Sequence, residues 1–205
     1  MKKIMLFLFC LSFLNTGLVM AGNTPKSIAG FTLGDVLSKY KDKIAINSTL
    51  CVRYQSYLTE VETIDLPGYK TGLICIGNCE NPGKIVRIKI KYRNSSKKFY
   101  ELLLKTYRIK FGKPLVWKGD AFGVIFAWKW SFTDEQGNKI SLTLQHNSED
   151  YEMKMGNSVK LTMTSAIEKE KACYEAQEED KLKRLPEPPR KQTQDVPDWD
   201  MLIPR

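Results

Sequence analysis

Histidine is nearly absent from this chain of 205 residues, because His146 is the only one. A catalytic set of the serine–histidine–aspartate or cysteine–histidine kind would have to include it. Alternation places His146 at the end of a strand, where a local hydrogen bond is its ordinary role. Phosphate-cradling glycine loops, metal-ligand spacings and acidic pairs in contrasting surroundings are also missing. We therefore predict no catalytic residue, no metal site, no cofactor and no enzymatic activity.

Long apolar runs are missing apart from one short run at the N-terminus. Two lysines near the start precede apolar residues 4–14, and small residues follow up to Ala21. This order is typical of a secretory signal peptide, and the run is shorter than the ~20 residues that a membrane span needs. We predict a signal peptide over residues 1–21, cleaved before Gly22, and export to the bacterial periplasm or the medium. An uncleaved anchor helix is the alternative.

Cysteine is sparse, with five in the chain. Cys10 lies in the predicted signal peptide, so an even number remains: Cys51, Cys75, Cys79 and Cys173. An even number in an exported chain indicates two disulfides, and four cysteines allow three pairings. We expect Cys51–Cys75 between neighbouring strands and Cys79–Cys173 between the C-terminal helix and a loop. A metal or redox site at Cys75 and Cys79 is the alternative, although their spacing is unusual for either.

Alternation of apolar and polar residues predicts six strands. The clearest lies within residues 84–93, where Ile88, Ile90 and Tyr92 point to one side and four basic residues to the other. Such a strand fits an antiparallel sheet with one covered and one wet face. The other five are predicted at residues 50–62, 72–76, 122–132, 140–145 and 159–164.

Three helices complete the pattern. Apolar residues four apart, preceded by Ser96 and followed by Gly112, predict an amphipathic helix in the middle of the chain. A short helix is predicted near residues 36–40, and a charged one at residues 165–184.

The order helix, three strands, helix, three strands, helix predicts an α+β fold. We expect a two-layer sandwich with an antiparallel sheet of about six strands, made of two helix–three-strand units, plus a C-terminal helix. The tryptophan-rich sheet face would meet the helices and leave the other face open. We place one domain at residues 22–184 and a flexible, proline-rich tail at residues 185–205.

Two short stretches carry a resemblance to a known group. The domain opens with Gly30-Phe31-Thr32-Leu33-Gly34-Asp35, and the central helix closes with Lys110-Phe111-Gly112-Lys113-Pro114. With the helix-plus-meander order, they resemble small bacterial periplasmic proteins of the outer-membrane assembly lipoprotein and β-lactamase-inhibitor-like group. The chain lacks the lipoprotein cysteine of that group. The resemblance implies a non-enzymatic binding fold and carries over no functional residue.

Acidic residues are scarce in the middle of the chain. The whole chain has a net charge of +9, whereas residues 84–118 hold twelve basic residues and one acidic residue, a local charge of +11. Cleavage would remove two lysines, so the rest of the mature chain would be mildly acidic. Clustered basic residues attract anions. We predict an anion-binding surface formed by Arg87, Lys89, Lys91, Arg93, Lys97 and Lys98. Lys160, Thr162, Thr164, Ser141 and Thr143 would complete it if their strands lie adjacent.

These patterns predict an exported, non-enzymatic binding module whose open sheet face takes an anionic envelope partner. Anionic lipid, lipopolysaccharide and an acidic protein all fit, the first two through peripheral membrane contact. Nucleic acid is disfavoured because export and the lack of stacking aromatics on the basic side argue against it. Alternatively, the basic side only keeps the domain soluble. A structural or inhibitor-like protein would then bind another envelope protein through its sheet face or its tail, where Trp199 is an apolar anchor.

Overall fold

The structure, a computed structural model, describes residues 24–45, 48–52, 54–120, 124–148 and 156–184. The predicted signal peptide and the predicted tail lie outside these residues. The strands are β1 (Ser27–Ile28), β2 (Phe31–Thr32), β3 (Leu50–Cys51), β4 (Leu58–Glu62), β5 (Tyr69–Gly77), β6 (Ile85–Tyr92), β7 (Val116–Gly119), β8 (Ile125–Thr133), β9 (Lys139–Asn147) and β10 (Gly156–Met163). The α-helices are α1 (Lys97–Phe111) and α2 (Thr164–Arg184), and Leu37–Tyr40 form one 3₁₀ turn.

Strands β3 to β10 form an eight-stranded antiparallel sheet in the order β3-β4-β5-β6-β10-β9-β8-β7. The predicted α+β class is confirmed. The sheet is wider than the expected six strands because the strand expected at residues 50–62 forms two strands, β3 and β4, and because the short edge strand β7 was not anticipated. Each half is a four-stranded meander followed by a helix, and the halves join where β6 pairs with β10.

The first predicted unit differs most from the structure. The helix expected near residues 36–40 is a single 3₁₀ turn, and the strand expected at residues 50–62 is divided into β3 and β4. Tyr54 adopts φ +61°, a left-handed conformation that interrupts a regular strand, and turn hydrogen bonds from Gln55 N–H to Val52 and from Leu58 N–H to Gln55 reverse the chain there. The two parts pair as neighbours, with Cys51 opposite Thr59.

Helix α1 covers the apolar face of the sheet. The Ser96 hydroxyl accepts a hydrogen bond from the Phe99 N–H at its start, and Gly112 ends it at φ +77°. Its first and last residues thus follow the predicted capping pattern. The Trp130 indole N–H donates to the Gly112 carbonyl oxygen at 2.9 Å, which ties the tryptophan-rich strand to the helix end.

Helix α2 packs on the second face, which was expected to be open throughout. Ala166 and Ile167 contact a small apolar cluster of Leu58, Cys75 and Val86 at the ends of β4, β5 and β6. The second face is therefore covered at this corner. Among the described helices, none combines the length and the apolar character that a membrane span requires.

Asp134 joins the turn between β8 and β9 to the N-terminal hairpin. Its carboxylate accepts hydrogen bonds from the backbone N–H groups of Gln136 and Asn138 and lies 2.9 Å from the Lys26 amine. The Lys26 contact first, and then these hydrogen bonds, hold the pKa of Asp134 well below its ordinary value. A carboxylate of lowered pKa stabilises the folded state above its unfolded pKa of about 3.9.

Asp134→Asn is therefore expected to lower the melting temperature most at neutral pH. The difference from the parent protein should shrink as the pH falls below about 4, because the parent then loses the same stabilisation by protonation. Thermal melts followed by circular dichroism between neutral and acidic pH would measure this difference. A difference that stays constant down to the lowest pH would contradict the assigned role of Asp134.

Candidate anion-binding face

Basic residues lie in register on the second face of the sheet. Directly paired residues of an antiparallel sheet point to the same side, so the pairing shows which side chains are neighbours. Lys89 in β6 pairs with Lys160 in β10, which pairs with Thr143 in β9. Thr143 pairs in turn with Lys129 in β8. Four neighbouring strands, each about 4.8 Å from the next, thus present these residues in one row.

A further row lies on each side of this one, about 6.6 Å away along the strands. The first is formed by Arg87, Thr162, Ser141 and Ser131. The second is formed by Lys91, Ser158, Gln145, Ala127 and Lys118. The residues that concentrate positive charge around the centre, here called the basic face, are Arg87, Lys89, Lys118, Lys129 and Lys160.

A groove of about 570 Å³ follows this surface between α2 and β7. Members of the basic face line it, together with one acidic residue, Asp120. The same groove is lined by polar side chains, among them Ser141, Thr143, Gln145 and Thr162. Most of the side chains that line the groove can form hydrogen bonds, and the net charge of the lining is positive.

Lys160 is the central residue of the basic face. It lies directly opposite Lys89, and like charges in this position destabilise a sheet. Lys160 is exposed by its surface area, but neighbouring protein atoms partly desolvate its amine. This desolvation first, and then the charges of Arg87, Lys89, Lys129 and Lys118, lower the pKa of Lys160. Five cations are therefore held close together although they repel one another.

Nearby acids compensate this charge only in part. Glu60 lies 3.7 Å from Arg87, at the side of the face next to β4. Asp120 accepts hydrogen bonds from the backbone N–H groups of Val124 and Ile125. Within the described ranges, no acidic side chain lies within ion-pair distance of the amines of the basic face, those of Lys89, Lys118, Lys129 and Lys160.

The six residues predicted to bind anions are not all brought together. Arg87, Lys89 and Lys91 share the second face, as alternation indicated. Arg93 lies past the end of β6, where it contacts Asp65 at 2.7 Å and donates to the Tyr69 carbonyl oxygen.

Lys97 and Lys98 begin α1, which packs on the opposite, apolar face of the sheet. The amine of Lys97 lies 5.8 Å from the ring centroid of Phe126 on that side. The structure therefore corrects the grouping of these two lysines with the β6 cations. They follow β6 closely in sequence, but the chain crosses to the other layer at the start of the helix.

Two members of the basic face were missing from the predicted set, Lys118 and Lys129. Alternation in β8 already placed Lys129 on the side away from the tryptophans, which was a usable signal. Lys160 and Thr162 were expected to join the surface if β10 lay beside β6, and the pairing shows that it does. The order of the strands in the sheet could not be derived from the sequence.

One of the two expected disulfides is confirmed. Cys79 and Cys173 are bonded, with their Cα atoms 5.9 Å apart, and they connect the loop after β5 to α2. Glu170, one helical turn earlier, is fully buried and accepts hydrogen bonds from the backbone N–H groups of Cys79, Glu80 and Asn81. A covalent bond and a buried carboxylate thus hold the same loop against α2.

The expected Cys51–Cys75 bond is wrong. Cys75 is a free, fully buried thiol, and burial raises its pKa to about 12. The assumption that the two cysteines lie on neighbouring strands fails because β4 separates β3 from β5. Two strand spacings place the backbones about 9.6 Å apart, beyond the span of a disulfide.

His146 occupies the strand end that alternation predicted, on the apolar side. It is 4% exposed, and its Nδ1 lies 2.7 Å from Oδ1 of Asn157. The amide nitrogen of Asn157 donates to the carbonyl oxygens of Asn94 and Ser96 at the start of α1. Since Asn157 uses its amide hydrogens there, its Oδ1 accepts a hydrogen bond from the Nδ1–H of His146. The pair holds the N-terminus of α1 on the sheet.

Comparisons of the chain with protein-family models, with curated proteins and with solved structures found no match.

Lys160→Gln is expected to raise the stability of the fold. The substitution removes a like-charge cross-strand pair worth about 0.2–1 kcal/mol, which corresponds to a melting temperature higher by about 1–3 °C. Lys70→Gln, an exposed lysine of β5, is the matched control and should leave the melting temperature unchanged. A lower melting temperature for Lys160→Gln would show that the charges of the basic face do not oppose one another.

Proposed function

We propose that this protein is an exported, non-enzymatic binding module whose basic face binds an anionic component of the cell envelope. The observation that carries the proposal is the row in which Lys89 and Lys160 face each other, with no acidic side chain of the described residues in ion-pair contact with either. Repulsion of this kind opposes folding and is relieved when an anion binds. A face kept basic only for solubility would not require cations to stand directly opposite one another.

The composition of the face favours an anionic surface or headgroup as the partner. Each basic residue near an anionic membrane contributes about 1 kcal/mol to binding, so five of them suffice for peripheral attachment. The aromatic side chains of β8 lie on the opposite face, against α1. Nucleic acid fits less well, because single strands are bound by stacking on aromatic platforms.

Three features support export to the periplasm or the medium. The N-terminal residues match a signal peptide, the described domain contains a disulfide, and disulfides persist in oxidising compartments. The resemblance to periplasmic helix-plus-meander proteins agrees with this location.

Vesicle binding of the mature chain tests the proposal. We expect sedimentation with phosphatidylglycerol vesicles, or binding to lipopolysaccharide, at low ionic strength, and none with phosphatidylcholine vesicles. Binding should weaken steeply as the salt approaches about 1 M, where the Debye length falls to ~3 Å. If neither anionic surface retains the protein at low salt, the proposal is wrong.

A second candidate function is the binding of another envelope protein at the sheet edge. Strand β7 is an edge strand, and Leu115, Val116 and Trp117 next to and within it are 71%, 41% and 53% exposed. An exposed edge accepts an added strand from a partner. Val116→Pro should then abolish co-purification of that partner, whereas raising the salt should not. The tail, which offers the other route to a protein partner, lies outside the described residues.

A further inference from the structure

One buried hydroxyl beside the groove has no hydrogen-bond partner among the described residues. Thr162 is 6% exposed, and its Oγ1 makes no hydrogen bond with the described residues. An unsatisfied buried hydroxyl costs about 1–3 kcal/mol. Thr162 lies between Arg87 and Ser141 in its row and lines the groove. Thr162 therefore belongs to the same surface as the clustered cations, and rotation about its χ1 angle would bring the buried hydroxyl to the groove.

Both cations and a second hydroxyl lie next to this position. Arg87 lies on one side of Thr162 and Ser141 on the other, while Lys160 lies two residues before Thr162 in the same strand. An arginine fork and an ammonium supply charge-assisted hydrogen bonds to oxyanions. A hydroxyl supplies one more donor, which a third oxygen can occupy. A planar carboxylate presents two oxygens, whereas a tetrahedral phosphate presents three or more.

The groove also suits the rest of such a ligand. Its volume of about 570 Å³ is several times that of a phosphate group, so a sugar or glycerol fragment fits beside it. A terminal phosphate carries a charge of about −1.5 to −2 at neutral pH. It therefore offsets the repulsion among several cations more fully than a single carboxylate does.

We infer that the groove binds a terminal phosphate group through Lys160 and Arg87, with the Thr162 hydroxyl as a third donor. This inference rests on the proposed function and narrows the anion to a phosphate ester. The phosphate belongs to a lipid headgroup or to a free sugar or glycerol phosphate, since both present the same oxygens. Arg87 would turn from Glu60, with which its contact at 3.7 Å is loose, towards the ligand.

Calorimetric titration at low salt tests this inference with three probes: glycerol 3-phosphate, inorganic phosphate and succinate. We expect the parent protein to bind both phosphates about tenfold or more tightly than succinate. Succinate has a similar total charge, but each of its planar carboxylates presents only two oxygens, so the hydrogen bond from Thr162 is lost. Stronger binding of phosphatidic acid vesicles than of free glycerol 3-phosphate would identify a lipid as the source. The reverse order would identify a soluble phosphate.

The isosteric substitution Thr162→Val removes the hydroxyl alone. It should abolish the preference for phosphate over succinate and leave the salt-dependent attachment to phosphatidylglycerol vesicles unchanged. Its melting temperature should not fall, because the hydroxyl has no partner to lose. Thr71→Val, at an exposed position of β5, is the control and should keep the preference.

The outcomes separate this inference from the proposed function. Equal binding of phosphate and succinate by the parent protein, or an unchanged preference in Thr162→Val, would overturn the phosphate site while vesicle attachment persists. Loss of vesicle attachment in the parent protein itself would overturn the proposed function.

Discussion

Charge reversal at the centre of the basic face, by Lys89→Glu together with Lys160→Glu, is expected to abolish attachment to anionic vesicles. Two favourable contacts of about 1 kcal/mol each become repulsive, which lowers the affinity by roughly a hundredfold to a thousandfold. The two positions lie directly opposite each other on β6 and β10, so both changes act on the same patch. Vesicle sedimentation at about 0.1 M salt, with phosphatidylglycerol over a range of lipid concentrations, measures the effect.

The matched control is Lys97→Glu together with Lys98→Glu. It changes the net charge by the same amount, but both lysines belong to the first turn of α1, on the other side of the sheet. At about 0.1 M salt the Debye length is ~10 Å, so charges on the far face of the sheet are largely screened from a membrane that contacts the basic face. We expect this variant to bind nearly as the parent does. If both double variants lose binding equally, the protein responds to net charge and the basic face is not a site.

Replacement of both bonded cysteines, by Cys79→Ser together with Cys173→Ser, is expected to have the largest effect on stability. The bond closes a loop of 94 residues, and loops of this length correspond to about 4–5 kcal/mol of stabilisation in the chain-entropy model. For a domain of this size, the melting temperature should fall by about 8–18 °C. Thermal denaturation followed by circular dichroism, without reductant, provides the measurement.

Cys75→Ala is the control for this substitution, because Cys75 is a buried thiol without a disulfide. It should cost about 1 kcal/mol through lost packing. The double serine variant should keep its strand content at low temperature, because Glu170 still holds the loop through three backbone N–H groups. A double variant that melts within about 2 °C of the parent would contradict the assigned role of the disulfide.

Local sequence patterns correctly predicted the strands and the helix that have a clear hydrophobic period. Strict alternation gave β6, β8, β9 and β10, and α1 was predicted from its apolar spacing and its caps at Ser96 and Gly112. The edge strand β7 was missed because its four residues show no clear period, and β3 was predicted only as part of one long strand with β4. The turn at Tyr54 was missed because no glycine or proline announces a positive φ there.

The site was predicted less completely than the fold, for a topological reason. Charge that is clustered along the chain between Lys84 and Lys118 is distributed over both layers, since the chain crosses from β6 to α1 within it. The cations that do meet come from β6, β7, β8 and β10. Only the strand order, with β10 inserted between β6 and β9, brings Lys160 between Lys89 and Lys129.

The disulfides, too, were predicted only in part, and the error again came from the unknown strand order. The Cys79–Cys173 bond was expected because the C-terminal helix could pack against the loop that holds Cys79, and the structure has this bond. The expected Cys51–Cys75 bond assumed that strands consecutive in the sequence are neighbours in the sheet. The unforeseen hairpin of β3 and β4 placed one extra strand between Cys51 and Cys75.

The most direct test of the anion-binding face observes each lysine separately. Reductive ¹³C-methylation of the amines keeps their charge and gives a resolved NMR signal for each residue, which can be assigned by single substitutions. On titration with a soluble short-chain anionic phospholipid at low salt, the signals of Lys89, Lys118, Lys129 and Lys160 should shift together, with one common affinity. The signals of Lys97 and Lys98 should stay in place. Shifts of equal size at the lysines of α1, or none on the basic face, would contradict the account.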